Sequence, residues 1–247
     1  MLELFPPVVV VFVYALITAL ATGLGALPFA FIRTISERTI AHANAIAAGL
    51  MLGASFGLVG EGATLDGTAT FVGVILGVLF ILATQKLMGG HGETEFMGAR
   101  DAGARRMLLV IVVMTVHSFA EGVAVGVSFG GGEALATAIT LAIAVHNIPE
   151  GVAITAVLRP RGASILACAG WSIFSSLPQP ITAVPAYLFV DRFAPVLPYG
   201  LGFAAGAMVY MVLVELLPEA YDQARGRSVP VLASLTIVAM LLFERYS

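Results

Sequence analysis

Stretches of about twenty apolar residues, long enough to cross a bilayer as helices, recur along this chain with only short polar connections between them. Eight can be counted, at about 6–32, 40–60, 67–88, 107–128, 134–158, 163–190, 196–220 and 229–243. Inside lipid the backbone has no water to bond with. Helices solve this segment by segment, so spanning segments are helical unless they close into a barrel. The chain is expected to be an all-α membrane protein of eight transmembrane helices. Composition agrees: 59% of residues are hydrophobic and 11% charged, against roughly 45–50% and 25% in soluble domains. Mean hydropathy is +0.99. No connection is long enough for a soluble domain, so residues 1–247 are expected to form a single membrane domain. The start, Met1 to Pro7, has no positive region, which argues against a cleaved signal peptide.

Lysine and arginine divide unequally between the two sides. Arg33, Arg38, Lys86, Arg100, Arg105, Arg106, Arg159, Arg161, Arg225 and Arg227 fall on one side of an eight-helix arrangement, and only Arg192 and Arg245 on the other. Positive charge marks the cytoplasmic side. Both termini are therefore expected outside, with the loop at about 89–106 in the cytoplasm. The expected location is the inner or plasma membrane, as a multi-pass protein.

Several functions are disfavoured at once. Net charge is −3 with no basic block, so no nucleic-acid partner is expected. One cysteine, Cys168, permits neither an internal disulfide nor a cysteine-rich metal site. The one lysine, Lys86, lies at a helix end, which disfavours a retinal protein. Glycines at four-residue spacing (Gly49/Gly53/Gly57, Gly73/Gly77, Gly122/Gly126, Gly202/Gly206) mark seams for close helix packing, within the chain or in a homodimer.

Chemistry concentrates in two segments that repeat each other. Val116-His117-Ser118-Phe119-Ala120-Glu121-Gly122-Val123-Ala124 and Val145-His146-Asn147-Ile148-Pro149-Glu150-Gly151-Val152-Ala153 share the pattern V-H-x-x-x-E-G-V-A. Residues i and i+4 lie on one helix face. Each helix thus presents an imidazole and a carboxylate together, near the middle of the membrane. Ionisable groups there are costly, face the interior and mark pathways. Two carboxylates offset a divalent charge, and two imidazoles complete a set that suits tetrahedral zinc while admitting iron, cobalt, nickel, manganese or cadmium. The plainer reading is a pair of polar contacts that glue two helices. Pro149 frees the carbonyl of Val145 from helix bonding, which offers a transient ligand or simply a kink.

His117-Ser118-x-x-Glu121-Gly122 and His146-Asn147-x-Pro149-Glu150-Gly151 resemble the fourth and fifth helices of the ZIP (Zrt/Irt-like) divalent metal transporters, and are most similar to the GufA-like branch. The resemblance implies transport of a divalent cation, most of all zinc, toward the cytoplasm by alternating access. It implies that His117, Glu121, His146 and Glu150 form the transport site between helices 4 and 5, with Met51 on the second helix as a further ligand. Some relatives hold a second metal beside the first. The matching positions here are Ser118, Asn147 and Gln179, all neutral. One strong site is therefore expected, with these three assisting passage, because carboxylates normally balance a bound cation's charge. Where the family's seventh helix often carries His-Glu, this chain has Val214-Glu215; Glu215 and Glu219 are candidates for an exit path. Glu61 and Asp66 are candidates to attract cations outside, or are solvated loop residues. His91 is a weak loop ligand at most. No cofactor is expected; the ion, Zn2+ or else Cd2+, Fe2+ or Mn2+, is the cargo.

Two other classes compete. A membrane metalloenzyme would want H-E-x-x-H or a third ligand with an open water position, and the spacing here is H-x-x-x-E; no enzyme is expected. A proton-conducting or structural helix bundle would show no saturable metal binding.

Overall fold

A computed structural model describes residues 5–32, 36–89, 102–224 and 226–246. Within these, the side chains of 85, 87–89, 102–110, 112–113, 116–117, 160 and 246 fall outside the description. Most of the loop expected at 89–106, including His91, therefore lies outside the described residues. Among the described residues the fold is all helical, with no strand. Six helical segments are long and apolar enough to cross a membrane: Pro7–Phe31, Glu37–Thr84, Glu133–Leu158, Ile165–Arg192, Ala194–Gln223 and Ser228–Arg245. Large apolar side chains point outward from them, Phe71 at 65% and Ile181 at 67% exposure among others. Such a surface is stable only against lipid or another apolar partner.

The helices are α1 (Pro7–Leu24), the one-turn α2 (Pro28–Phe31), α3 (Glu37–Gly89), α4 (Ala102–Ser128), α5 (Glu133–Leu158), α6 (Ile165–Ser176), α7 (Pro178–Arg192), α8 (Leu197–Met211), α9 (Leu217–Gln223) and α10 (Ser228–Tyr246). Three features depart from the sequence expectation, and each has a local cause.

The polar connection expected from Glu61 to Asp66 is helical almost to its end. Only Asp66 leaves helical geometry, at φ −160° and ψ 104°. Its side-chain Oδ1 accepts the Ala69 N–H at 2.9 Å, as an N-cap does, and so starts a second arm. The chain doubles back there, since Gly62 lies directly under Thr70.

The single helix expected at 163–190 is broken at Leu177 into α6 and α7. Pro178 and Pro180 each remove a backbone donor at the break. Gln179 therefore sits in the first turn of α7.

The helix expected at 196–220 passes through a π-turn, Val212–Leu216, before α9. Pro218 cannot donate to the carbonyl four residues back, and a wider turn accommodates the loss. Glu215 lies in that turn. Proline does not interrupt α5, which runs through Pro149 from Glu133 to Leu158.

The glycine seams are used inside the chain. Gly49, Gly53 and Gly57 lie against α10 at Ala233, Met240 and Glu244. Gly73 and Gly77 lie on the backbone of Tyr199 and Phe203, while Gly202 and Gly206 lie on that of Thr70 and Val74. The order of these contacts shows that the first arm of α3 runs parallel to α10 and the second arm parallel to α8. Gly122 and Gly126 meet the backbone of α7 at Gln179 and Ala183. Gly25 and Gly151 bring α1 and α5 into backbone contact, where any side chain would clash. Two groups of helices result. One holds α3, α8, α9 and α10; the other holds α1, α4, α5, α6 and α7. They meet where α3 packs on α5 and α4 on α8, around a core that includes Met51, Val125, Ile143, Ala204 and Met208.

Candidate metal centre

The repeated motif places its residues on α4 and α5, which pack side by side. Glu121 is 0%, His146 0% and Glu150 2% exposed. Each offers a ligand atom, and these atoms lie within 4.8 Å of one another. His146 Nε2 and Glu121 Oε1 approach to 2.6 Å. Two ligands on a tetrahedral zinc ion, each at about 2.0–2.1 Å from it, stand roughly 3.3–3.5 Å apart. The observed contact is thus a hydrogen bond, shorter than that spacing, and the two groups would part slightly around an ion. The second ring nitrogen, His146 Nδ1, is buried with no hydrogen-bond partner among the described residues.

A polar chain extends from this trio. Gln179 Nε2 donates to Glu121 Oε2 at 2.6 Å. Gln179 Oε1 accepts from Thr18 Oγ1 at 2.5 Å and from Asn147 Nδ2 at 3.3 Å. Asn147 Nδ2 also donates to the Thr18 carbonyl at 2.9 Å. Farther along, Thr22 and Ser176 hydroxyls meet at 2.8 Å. The break between α6 and α7 matters here: it brings Gln179, fully buried, to Glu121 at the first turn of a helix. Asn147 Oδ1 and Ser172 Oγ are buried without partners among the described residues. Polar groups left unpaired inside a protein are uncommon, and Asn147 Oδ1 lies one residue from His146 on α5.

Of the residues singled out from sequence, the structure joins Glu121, His146 and Glu150 directly and connects Asn147 and Gln179 to them by hydrogen bonds. Ser118 is buried beside them in sequence on α4, at 1% exposure. Met51 is fully buried in the core cluster that includes Val125 and Ile143, one turn along from Glu121 and His146. His117 lies on α4, its side chain outside the described residues. Val145, whose carbonyl Pro149 frees, has its side chain 52% exposed while His146 and Glu150 are buried. Thr18 was not legible as part of the centre. Its only trace in the sequence is the pair Thr18 and Thr22 at i and i+4 in an otherwise apolar helix.

Comparison with known proteins bears on this geometry. Residues 88–242 match the family model described as ZIP zinc transporter. A protein of Arabidopsis thaliana described as a putative zinc transporter is 43% identical over 242 residues, covering 95% of this chain and 39% of that protein. The zinc transporter GufA of Myxococcus xanthus is 34% identical over 230 residues, covering 85% of this chain and 87% of its own. The zinc transporter ZIPB of Bordetella bronchiseptica is 34% identical over 221 residues, covering 81% and 69%. With a family model over most of its length and GufA matched over 85% of this chain and 87% of its own, this chain belongs to the ZIP zinc transporter family.

Proposed function

We propose that this chain carries zinc, and related divalent cations, across a cell membrane toward the cytoplasm. The observation that supports this most directly is the buried trio Glu121, His146 and Glu150, within 4.8 Å of one another. Buried carboxylates need a partner charge, and a divalent cation supplies it. His117 and Met51 complete the ligand set in this reading. Ser118, Asn147 and Gln179 assist passage as neutral polar groups. The membrane is the bacterial inner membrane or a plasma membrane, and membership of a transporter family supports the transport reading over the catalytic one. The proton-conducting bundle is the reading that zinc binding by calorimetry would exclude.

The topology proposed is eight crossings within one domain, 1–247. The six apolar segments become eight when α3 is divided at Asp66 and α4, of 27 residues, is added. Both termini then lie outside. Toward that outer end, a cavity of about 340 Å³ is lined by Gly57, Glu61 and Glu244 together with Gly131, Leu135 and Ala138. Two carboxylates at its wall would concentrate cations from solution.

Movement follows from the two helix groups. Each is locked internally by glycine seams, whereas the contacts between them are made largely by side chains. An apolar groove of about 700 Å³ runs along their outer junction, lined by Phe119, Val123, Ile181 and Phe203 among others. We propose that the group holding α4 and α5 shifts against the group holding α3 and α8, exposing the site to each side in turn.

The test is zinc uptake into proteoliposomes loaded with a fluorescent zinc indicator. Wild type should transport, and His146→Ala and Glu150→Gln should lose uptake about 100-fold while eluting as folded protein. Undiminished uptake by both variants would move the site elsewhere. Absence of uptake by folded wild type would sink the transport reading.

A further inference from the structure

Away from the metal centre, Asn44 is 1% exposed, and neither its Nδ2 nor its Oδ1 has a hydrogen-bond partner among the described residues. Buried amides are almost always paired, because burial without a partner forfeits their bonds to water. A side chain left this way on a packed helix face calls for an explanation.

Its position points to one. Asn44 precedes Met51 by seven residues, nearly two full turns, so the two share a face of α3 about 10 Å apart along the axis. Ala41 and Ala45 pack against Ala220 and Ala224 of the α9 segment. The first arm of α3 is antiparallel to α8 and α9, because the chain doubles back at Asp66 and the second arm runs parallel to α8. Asn44 stands one residue before Ala45, and Gln223 one residue before Ala224. Each is therefore turned by the same 100° from the line of contact. In an antiparallel pair, equal turns bring both residues to the same flank, and that is the flank on which Met51 lies. Gln223 has the same peculiarity as Asn44. Its Nε2 donates to Glu219 Oε1 at 2.9 Å, but its Oε1 is buried with no hydrogen-bond partner among the described residues.

We infer that Asn44 and Gln223, with Glu219 behind Gln223, form an oxygen-donor relay for a partly hydrated divalent cation travelling between the Glu121/His146/Glu150 centre and the end of the bundle where α3 begins. The inference rests on the transport reading and extends it to a second station. Amide oxygens suit such an ion because they replace lost water without adding net charge. With one carboxylate nearby, the station binds more weakly than the His/Glu centre and releases quickly. Had these amides served only to join α3 to α9, they would be bonded to that neighbour.

The experiment compares zinc uptake by wild type, Asn44→Leu, Asn44→Ser and Gln223→Leu in proteoliposomes, with calorimetric zinc binding and thermal unfolding of the same full-length proteins. Asn44→Leu should lower the maximal uptake rate about tenfold, leave the zinc affinity of the central site unchanged and not lower the unfolding temperature. Asn44→Ser, which restores an oxygen, should recover the rate to within about threefold of wild type. An unchanged rate in folded Asn44→Leu would overturn the relay. So would a rate that falls together with the unfolding temperature and is not recovered by serine, since that marks a structural role. Should Asn44→Leu not fold, Gln223→Leu is read by the same criteria from the opposite wall. Absence of wild-type uptake would instead overturn the transport reading and the relay with it.

Discussion

Glu121 is gripped from two sides, by His146 on one oxygen and Gln179 on the other, each at 2.6 Å. Gln179 in turn is oriented by Thr18 and Asn147 at its own oxygen. An amide has distinct donor and acceptor ends, so this arrangement fixes which end faces the carboxylate. Gln179→Leu removes both ends. It should lower stability by about 1–3 kcal/mol, the usual cost of leaving a buried polar group unsatisfied, and weaken zinc binding, read by thermal unfolding and calorimetry. Gln179→Glu adds a third carboxylate beside Glu121 and Glu150. It should raise the number of zinc ions bound from one to two, read as calorimetric stoichiometry. The repeated H-x-x-x-E spacing singles out Glu121, His146 and Glu150, which the fold brings together, because ionisable residues are costly inside apolar helices and persist there mainly where a pathway or a site uses them. Thr18 was not readable. Its hydroxyl also bonds its own helix at the Ala15 carbonyl, 2.7 Å away, and threonines do so in many membrane helices without any role in a site.

At the scale of the helix, glycine pattern and contact agree. The spacing of Gly49, Gly53 and Gly57 announced a seam, although not which helix it would meet. Breaks were harder to see. Asp66 caps a new arm only because the chain reverses there, and a polar run such as Glu61 to Asp66 looks the same as a solvated loop. Likewise Pro178 and Pro180 signal a disturbed helix, yet a kinked and a broken helix have the same sequence. The tight crossing of α1 and α5 yields a prediction. A methyl group on Gly151 would strike the Thr22 carbonyl, which is backbone and cannot step aside. Gly151→Ala should lower stability by about 1–3 kcal/mol, as overpacking does, and slow zinc uptake. Gly170 is the control: nothing lies within 4 Å of its absent side chain, it sits inside α6, and Gly170→Ala should stabilise by about 0.5–1 kcal/mol. Thermal unfolding of the two purified variants decides both.

For the whole molecule, the proposed count of eight crossings rests on the apolar runs, and the proposed sidedness on the distribution of arginine. Both are open to a direct assay because the one cysteine, Cys168, is fully buried. In a Cys168→Ala background, cysteines at Phe5 and Arg245 should react with a membrane-impermeant maleimide from the outside of intact cells. Cysteines at Ser36 and Arg161, all four positions being exposed, should react only after permeabilisation. Labelling of Phe5→Cys and Arg245→Cys on opposite sides would rule out an even number of crossings.

The neutral amide of Gln179 next to Glu121 has an electrical consequence. In the transport reading, a divalent ion held by Glu121 and Glu150 would be balanced by their two negative charges, and the loaded centre would carry no net charge through the membrane field. Once the ion departs, the same two carboxylates are left uncompensated unless protons take its place. Each charge moved through the field is worth about 2.3 kcal/mol per 100 mV. Voltage would then act on the return of the empty carrier and leave delivery of the ion untouched, so the cell's membrane potential would govern how often the cycle restarts.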